Sequence, residues 1–303
     1  MPQISRRSFV NWSIATIGLG ATANLLNACG GSNSQNSGDS DGLSDGLSDD
    51  IKLVQRFPQV LVPGEVRLPI SLATTSGIIT ATSDFKFPQK LTARIVDLSN
   101  DTVITENVSI DLHGKEISIP YYPFRTRIEK PGNYMLVLDG SATDGAAFSV
   151  LDPSEVLVPK IGDELAAFDT PTFDDSRGVK PICTRVPEPC PFHKLTLTEA
   201  QNLGKPLAYM IGTPAHCATG TCSPALEQLI AVSKLVGDRA VFVHAEVYAD
   251  EAATVIAKAV TVNSLTFEPV IFFSDSNKKI VERLDSVFDA TEITAALTLA
   301  GVK

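Results

Sequence analysis

The hydrophobic pattern of this chain changes near residue 195, and that change constrains the fold more than any single motif. Residues 51–155 carry short apolar runs separated by turn signals such as Pro63-Gly64. Residues 195–303 instead alternate apolar strand patterns with helical periods. Closely spaced short strands indicate an all-β unit, whereas strands alternating with helices indicate an α/β unit. The sequence therefore predicts an α+β multidomain protein with two folded regions, joined by a Pro-rich connector over residues 156–194.

The first region is predicted to be a β-sandwich of immunoglobulin-like type, because about seven short strands fit within about 100 residues. The predicted strands are Gln59–Val62, Val66–Ala73, Leu91–Leu98, Val108–Leu112, Glu116–Ile119, Tyr134–Leu138 and Ala146–Leu151. The region has no Cys and no Trp, which excludes an antibody-type domain. His113 falls in a turn, where we expect it to be solvated. The aromatic segment Tyr121–Phe124 would line a groove or pack at a strand end, and the pattern favours packing.

The second region shows the order of elements of an α/β core with a parallel part and a final antiparallel hairpin. The predicted elements are strand Pro206–Ile211, helix Pro224–Leu235, strand Ala240–Val247, helix Glu251–Ala259, strands Val270–Phe273 and Lys279–Leu284, and helix Ala290–Ala300. Ser223 followed by Pro224 predicts the N-cap and the first residue of the first long helix.

The N-terminal segment is predicted to be an export signal. Arg6 and Arg7, with the apolar Phe9 shortly after them, resemble the twin-arginine signal of bacteria. The apolar run that follows is too short for a membrane span and fits the central part of a signal peptide. The run ends Leu-Asn-Ala-Cys29, which resembles a lipobox and implies that residues 1–28 are removed and Cys29 is diacylated. Cleavage without lipid attachment, or a buried helix with a chance cysteine, are the alternatives.

Residues 29–50 are predicted to form a flexible tether, because they are rich in Ser, Gly and Asp and contain no Lys or Arg. The whole chain carries a net charge of −10, and part of this acidity belongs to the tether. Nucleic acid is excluded as a main partner, since phosphate binding needs clustered basic residues. A hydrophobic content of 44% excludes a chain that is disordered throughout.

Cys217 and Cys222 lie in the loop between the first predicted strand of the second region and its first long helix. Free amides and the dipole at a helix start stabilise a thiolate, and a second nearby thiol can resolve a mixed disulfide. This placement predicts Cys217 as the attacking thiol and Cys222 as the resolving thiol. A permanent disulfide that closes the loop, or a metal site, would use the same two residues.

The order of elements, the cysteine pair and the Glu268-Pro269 dipeptide together resemble a thioredoxin-fold domain over residues 195–303. The Cys217-x4-Cys222 segment, followed by the sequence His244-Ala-Glu-Val-Tyr, is similar to exported bacterial thioredoxin-like proteins. The resemblance implies that Pro269 is a cis-proline that faces the dithiol and shapes a substrate groove. The chain departs from thioredoxins in having four residues between the cysteines and His216 in place of a Trp.

Several further residues are candidates for the site. His216 is expected to favour the Cys217 thiolate, while Glu246 and Glu268 are candidate proton acceptors. His244 is expected to be a buried core histidine whose ring nitrogens are hydrogen-bonded.

A separate pair, Cys183 and Cys190, is predicted to form a structural disulfide, because exported proteins use cysteine pairs in this way. A zinc site made of the four cysteines is the alternative, although the spacings are poor for it, and no metal or other cofactor is expected.

These observations predict a thiol–disulfide oxidoreductase on the extracytoplasmic side of the bacterial cell envelope, held to the membrane by lipid on Cys29. Its partners would be exported proteins that carry cysteines or disulfides. The alternative is a non-catalytic binding or scaffold protein with structural disulfides. A third class, metal delivery, is suggested by copper-handling thioredoxin-fold proteins, but the absence of any His after His244 makes the match poor.

Overall fold

A computed structural model of the protein describes residue 47 and residues 50–140 and 145–303. Gly46–Lys303 form one compact unit of mixed α+β structure. The predicted signal residues Arg6 and Arg7, the predicted lipid site Cys29 and nearly all of the tether lie outside the described residues.

The β region, residues 50–140 and 145–155, contains two four-stranded antiparallel sheets. Its strands are β1 (Lys52–Gln55), β2 (Gly64–Thr74), β3 (Gly77–Ile78), β4 (Lys90–Asp97), β5 (Thr102–Asp111), β6 (Tyr122–Ile128), β7 (Gly132–Leu138) and β8 (Gly145–Val150). In one sheet β2 pairs with β1, β3 and β6, and in the other the order is β5-β4-β7-β8. Both sheets contribute to one apolar core, an arrangement consistent with a β-sandwich.

Strand β2 is buried along almost its whole length because both of its faces are covered. One face alternates Val66, Leu68, Ile70 and Leu72, all of which pack in the shared core. Arg67 lies on the opposite face and is only 8% exposed. This second face is covered by the C-terminal part of the chain, as described below.

Two of the predicted strands in this region are wrong. Within Gln59–Val62 only Leu61 pairs, as an isolated bridge to Val150. Glu116–Ile119 forms a turn in which Glu116 has a φ of 60°, a conformation incompatible with a strand. Strand β6 was not predicted, since Pro123 at its start weakens a strand pattern. The preferred packing of Tyr121–Phe124 is confirmed, because these aromatic rings are fully buried.

The α/β region, residues 195–303, is built on a four-stranded sheet in the order β10-β9-β11-β12. Its elements are α1 (Leu197–Asn202), β9 (Leu207–Ile211), α2 (Cys222–Val236), β10 (Val241–Ala245), α3 (Lys258–Val262), β11 (Val270–Ser274), β12 (Ile280–Asp285) and α4 (Ala290–Leu299). Strands β9 and β10 are parallel, whereas β11 is antiparallel to β9 and β12. The predicted combination of a parallel part with a closing antiparallel hairpin is confirmed.

Separate apolar cores cover the two faces of this sheet, and the connector takes part in both. Helices α2 and α4 pack in one core, while α1 and α3 pack in the other. The connector places Phe168 in the α1/α3 core and Cys183, Cys190 and Phe192 in the α2/α4 core. Residues 156–194 therefore form an integral layer of the α/β region, although they contain no regular helix or strand.

The predicted helix Glu251–Ala259 is wrong, and α3 occupies only its last residues and those that follow. Asp250 accepts hydrogen bonds from the amides of Thr254 and Val255, and Ala253 has a φ of 52°, so the segment forms a capped turn. Helix α2 also begins earlier than predicted. Its first residue is Cys222 and its N-cap is Thr221.

Buried polar groups join the β region to helix α4. The Arg67 Nε donates to Glu292 Oε1 at 2.7 Å, and the Tyr121 hydroxyl donates to Glu292 Oε2 at 2.7 Å. His113 lies 2.8 Å from the carboxylate of Asp289, the N-cap of α4. The expectation that His113 is simply solvated was therefore wrong, because this turn is packed against the second region.

Candidate functional site

The candidate site lies at the end of β9, where the chain turns into α2. The turn brings Cys217 and Cys222 together, with their Sγ atoms 2.6 Å apart. Cys222 is the first residue of α2 and is fully buried, whereas Cys217 is partly exposed. Both are free thiols. The structure thus juxtaposes the two residues predicted to form a dithiol and leaves only Cys217 open to a partner.

Polar groups surround the Cys217 sulfur and stabilise its ionised form. Besides the Cys222 thiol, the hydroxyl of Thr219 lies 3.2 Å away and the amide of Cys222 donates from 3.3 Å. The hydrogen bond from the Cys222 thiol, supported by the Thr219 hydroxyl and the helix-start amides, lowers the pKa of Cys217 to about 5 despite burial. The arrangement makes Cys217 a thiolate at neutral pH.

Cys222 has the opposite character. Burial, the hydrogen bond to Cys217 and the neighbouring Glu268 raise the pKa of its thiol well above the usual value. Glu268 Oε2 lies 3.2 Å from Cys222 Sγ and accepts a hydrogen bond from the Thr213 amide at 2.7 Å. Burial and the charge on Cys217 raise the pKa of Glu268 to about 8. A carboxyl group able to take up a proton near neutral pH therefore touches the resolving thiol.

Pro269 follows Glu268, and the Glu268–Pro269 peptide is cis. Gly212, the residue after β9, fixes how closely this segment approaches the dithiol. A Cβ atom at Gly212 would lie 3.2 Å from Pro269 Cβ and 3.4 Å from Cys222 Sγ. Glycine thus allows Pro269 and Cys222 to meet at the end of β9 without a side chain between them.

His216 is not among the groups that contact the Cys217 sulfur, although the sequence predicts that it favours the Cys217 thiolate. It is exposed, and its ring lies edge-on to the Tyr248 ring, with the ring centroids 6.1 Å apart. The groups that contact the Cys217 sulfur are the hydroxyls of Thr219 and Thr221 and the main chain and thiol of Cys222. These threonines were not identified from the sequence, although their position between the two cysteines was a usable signal.

Cys183 and Cys190 lie together in the connector as free, buried thiols. The Cys190 amide donates to Cys183 Sγ at 3.3 Å. The structural disulfide between them stays a prediction. The sequence did not indicate that His193 and His244 join them, with all four potential ligand atoms within 4.8 Å of one another.

Glu246 ties the connector to the sheet. Its Oε1 accepts hydrogen bonds from the amide of Thr184 at 2.6 Å and from the hydroxyl of the same residue at 3.0 Å. Burial raises the pKa of Glu246. The same Thr184 hydroxyl accepts from the amide of Ala215 in the dithiol loop, at 3.1 Å. Glu268, rather than Glu246, therefore lies beside the dithiol.

A cleft of about 210 Å³ opens beside the dithiol loop, between the two regions. The loop and the start of α2 contribute Thr219, Gly220 and Pro224, and the turn of the β region contributes Ile117 and Ile119. Arg56 supplies a cation. The β region therefore forms one wall of the space next to the candidate site.

No protein-family model matches the chain, and a search of curated proteins also found no match. Within the part of the chain that the structure describes, no helix combines the length and apolar character that crossing a bilayer requires.

Proposed function

We propose that this protein is a membrane-anchored, extracytoplasmic thiol–disulfide exchange protein that acts through Cys217 and Cys222. The observation that carries the proposal is the asymmetry of the pair. An accessible sulfur with a depressed pKa contacts a buried thiol with a raised pKa, and a carboxyl group lies next to the buried thiol. An attacking thiol must be ionised and exposed, while a resolving thiol needs a proton acceptor.

In the reducing direction, the Cys217 thiolate attacks one sulfur of a substrate disulfide. A bond forms between Cys217 and that sulfur, and the other substrate sulfur leaves as a thiolate that takes a proton from water. Because the mixed disulfide removes the charge of Cys217, the Glu268 carboxyl group releases its proton to water, and the resulting carboxylate accepts the proton of Cys222. The resulting thiolate attacks Cys217 and releases the second substrate sulfur. The substrate gains two electrons, and Cys217 and Cys222 become a disulfide that a reduced dithiol protein would regenerate.

The proposed fold of the α/β region is thioredoxin-like. Its support is a sheet with parallel and antiparallel parts, a dithiol at the start of α2 and a cis-proline that approaches it. The proposed fold of the β region is an immunoglobulin-like sandwich, supported by its two antiparallel sheets around one core. Export by the twin-arginine pathway and lipid attachment at Cys29 rest on the sequence motifs alone.

The proposed substrates are exported proteins with a disulfide or dithiol in an accessible segment. The cleft beside the dithiol loop has apolar walls from Ile117 and Ile119 and a charge from Arg56. These features suit an extended polypeptide with apolar side chains better than a small polar thiol. The β region would thereby help to position a substrate against Cys217.

The proposal is tested by the reduction potential of the pair and by its reductase activity on a protein disulfide such as insulin. We expect a potential above about −300 mV, the level typical of structural disulfides, and measurable turnover with an added dithiol. Cys217→Ser should abolish turnover. Ser223→Ala, which changes the adjacent exposed residue of α2, should leave it unchanged.

A potential below about −300 mV, in the range of structural disulfides, combined with no turnover, would contradict the proposal. It would favour the non-catalytic alternative, in which the Cys217–Cys222 disulfide only closes the loop. In that case Cys217→Ser would lower stability and leave partner binding intact.

A further inference from the structure

The second cysteine cluster has the composition of a metal centre. Cys183 and Cys190 from the connector meet His193, three residues further on, and His244 from β10. His193, His244 and Cys190 have no exposed surface, and Cys183 is only 5% exposed. Two thiols and two imidazoles in one dry site form the S2N2 set that zinc binds in structural centres.

The distances from His244 Nδ1 to the other three potential ligand atoms fit a tetrahedron around one ion. His244 Nδ1 lies 3.2 Å from His193 Nε2, 3.5 Å from Cys190 Sγ and 3.8 Å from Cys183 Sγ. With zinc–nitrogen bonds of about 2.05 Å and zinc–sulfur bonds of about 2.3 Å, a tetrahedron requires about 3.3 Å between nitrogens and about 3.5 Å between nitrogen and sulfur. The three distances from His244 Nδ1 are therefore already close to those that a bound ion would impose, and all four ligand atoms lie within 4.8 Å of one another.

Main-chain groups orient two of the four ligand residues, His244 and Cys183. His244 Nε2 lies 3.0 Å from the carbonyl oxygen of Gly212, which requires the proton on Nε2 and leaves the lone pair of Nδ1 facing the sulfurs. The amide of Cys190 points at Cys183 Sγ from 3.3 Å, so it supports a thiolate there. Such outer contacts are typical of metal-binding histidines and cysteines.

We propose that Cys183, Cys190, His193 and His244 form a structural Zn²⁺ site. Two thiolates balance the charge of one Zn²⁺, so the filled site is neutral and suits its buried surroundings. All four positions are supplied by the protein, which leaves no open position for catalysis. The ion would fasten the connector to β10. Through His244 and Gly212 it would also support the loop that carries Cys217.

The test begins with the metal content of the full chain, purified with reductant and loaded with Zn²⁺ alone. We expect one zinc per chain that survives gel filtration. The double variant Cys217→Ser/Cys222→Ser should keep it, because those thiols belong to the other cluster. Cys183→Ser/Cys190→Ser and His193→Gln should each retain only traces, while His216→Gln, which changes an exposed histidine, should retain the full amount.

A measurement on the unaltered chain keeps the test valid even if the variants fail to fold. Replacement of zinc by Co²⁺ should give the intense visible absorption of a tetrahedral ion and thiolate-to-cobalt charge-transfer bands, with the same spectrum in Cys217→Ser/Cys222→Ser. X-ray absorption should show two sulfur and two nitrogen ligands. The proposal is overturned if reduced protein takes up no zinc, or if the ion is lost from Cys217→Ser/Cys222→Ser. It is also overturned if peptide mapping of natively purified protein shows a Cys183–Cys190 disulfide.

Discussion

At the scale of single residues, the central feature is the difference between two neighbouring thiols. Cys217 contacts hydroxyl and amide donors at the start of a helix, whereas Cys222 lies in an apolar interior beside a carboxyl group. Position in the chain predicts Cys217 as the attacking thiol and Cys222 as the resolving thiol, and the greater exposure of Cys217 supports that prediction. The sequence misassigned the supporting residue, because His216 faces Tyr248 while Thr219 contacts the sulfur.

The rate of Cys217 alkylation should show this environment directly. In the reduced protein we expect the rate to rise with pH around a midpoint of about 5, the pKa of Cys217. Cys222→Ala removes the hydrogen bond that lowers this pKa most, so the midpoint should move toward about 8.5, the value of a free thiol. Iodoacetamide labelling with peptide mapping measures both midpoints. A midpoint near 8.5 in the unaltered chain would contradict the assigned role.

Glu268 should control the resolving step. Its pKa is about 8 while Cys217 is a thiolate, and it should fall once Cys217 enters a mixed disulfide and that charge disappears. The resolution rate should therefore rise with pH and level off at an inflection below 8. Glu268→Gln should remove the inflection and slow resolution by about 100-fold.

Single-turnover kinetics from a preformed mixed disulfide would measure this step. The matched control is Glu227→Gln, which removes a carboxyl group from the exposed side of α2 and should preserve the inflection. An unchanged pH profile in Glu268→Gln would show that another group accepts the proton of Cys222.

At the scale of elements, the sequence predicted most of the α/β region. Strands β9 to β12 and helices α2 and α4 were identified from apolar runs and helical periods. The segment 251–259 was misread because its apolar residues suit a helix, while its fold depends on the Asp250 carboxylate capping a turn. In the β region, the order of the strands depends on long-range pairing, which local pattern does not specify.

The sequence also did not predict that the connector packs into the core of the α/β region. A buried segment without regular secondary structure has no hydrophobic periodicity that could reveal its burial. Phe168 illustrates its contribution, since it packs against Tyr209 of β9 and is only 8% exposed. We expect Phe168→Ala to lower the free energy of unfolding by about 3–5 kcal/mol, as is usual for deletion of a buried aromatic ring.

Denaturant unfolding followed by fluorescence or circular dichroism would give the value. Phe173→Ala is the matched control, because Phe173 lies in the same connector and is half exposed. If the two variants lost equally little stability, the connector would not form part of the core.

At the scale of the whole molecule, a polar interface unites the two regions. Arg67, Tyr121 and Glu292 form its buried centre, and the pair His113–Asp289 lies beside it. None of these partnerships was predictable, because their members are separated by more than 170 residues. The interface holds the β region against the dithiol loop, where it forms one wall of the cleft beside that loop, and this connects the arrangement of the regions to the proposed function.

The His113–Asp289 pair should make stability depend on pH. Burial opposes the charge on His113, but the hydrogen bond and charge of Asp289 and the charge of Glu292 outweigh it and raise the pKa. The pKa of Asp289 is lowered by His113 and by helix amides, in spite of burial. Because the histidine pKa is raised, its stabilisation is complete below about 6.5 and is lost as pH rises through the folded value.

Asp289 sets the lower end of the pH range in which the pair stabilises the fold, since its contribution to stability is lost as pH falls through its lowered pKa. Between these two pH limits, His113→Gln should lower the free energy of unfolding by about 1.5 kcal/mol, the order expected for a hydrogen bond between charged groups. Unfolding midpoints at pH 5.5 and pH 9 would show a larger loss at pH 5.5. The control is His216→Gln, which should show no difference in stability loss between the two pH values. An equal loss of stability at both pH values for His113→Gln would contradict the role of the His113–Asp289 pair.

The central claim, that Cys217 attacks substrate disulfides and Cys222 resolves them, is tested most directly by trapping the intermediate. Reduced Cys222→Ser protein is mixed with a disulfide-bonded peptide, and the adduct is mapped by mass spectrometry. We predict a stable mixed disulfide at Cys217, which does not accumulate in the unaltered chain because Cys222 releases it. No adduct at Cys217, or an adduct confined to Cys183 or Cys190, would contradict the account.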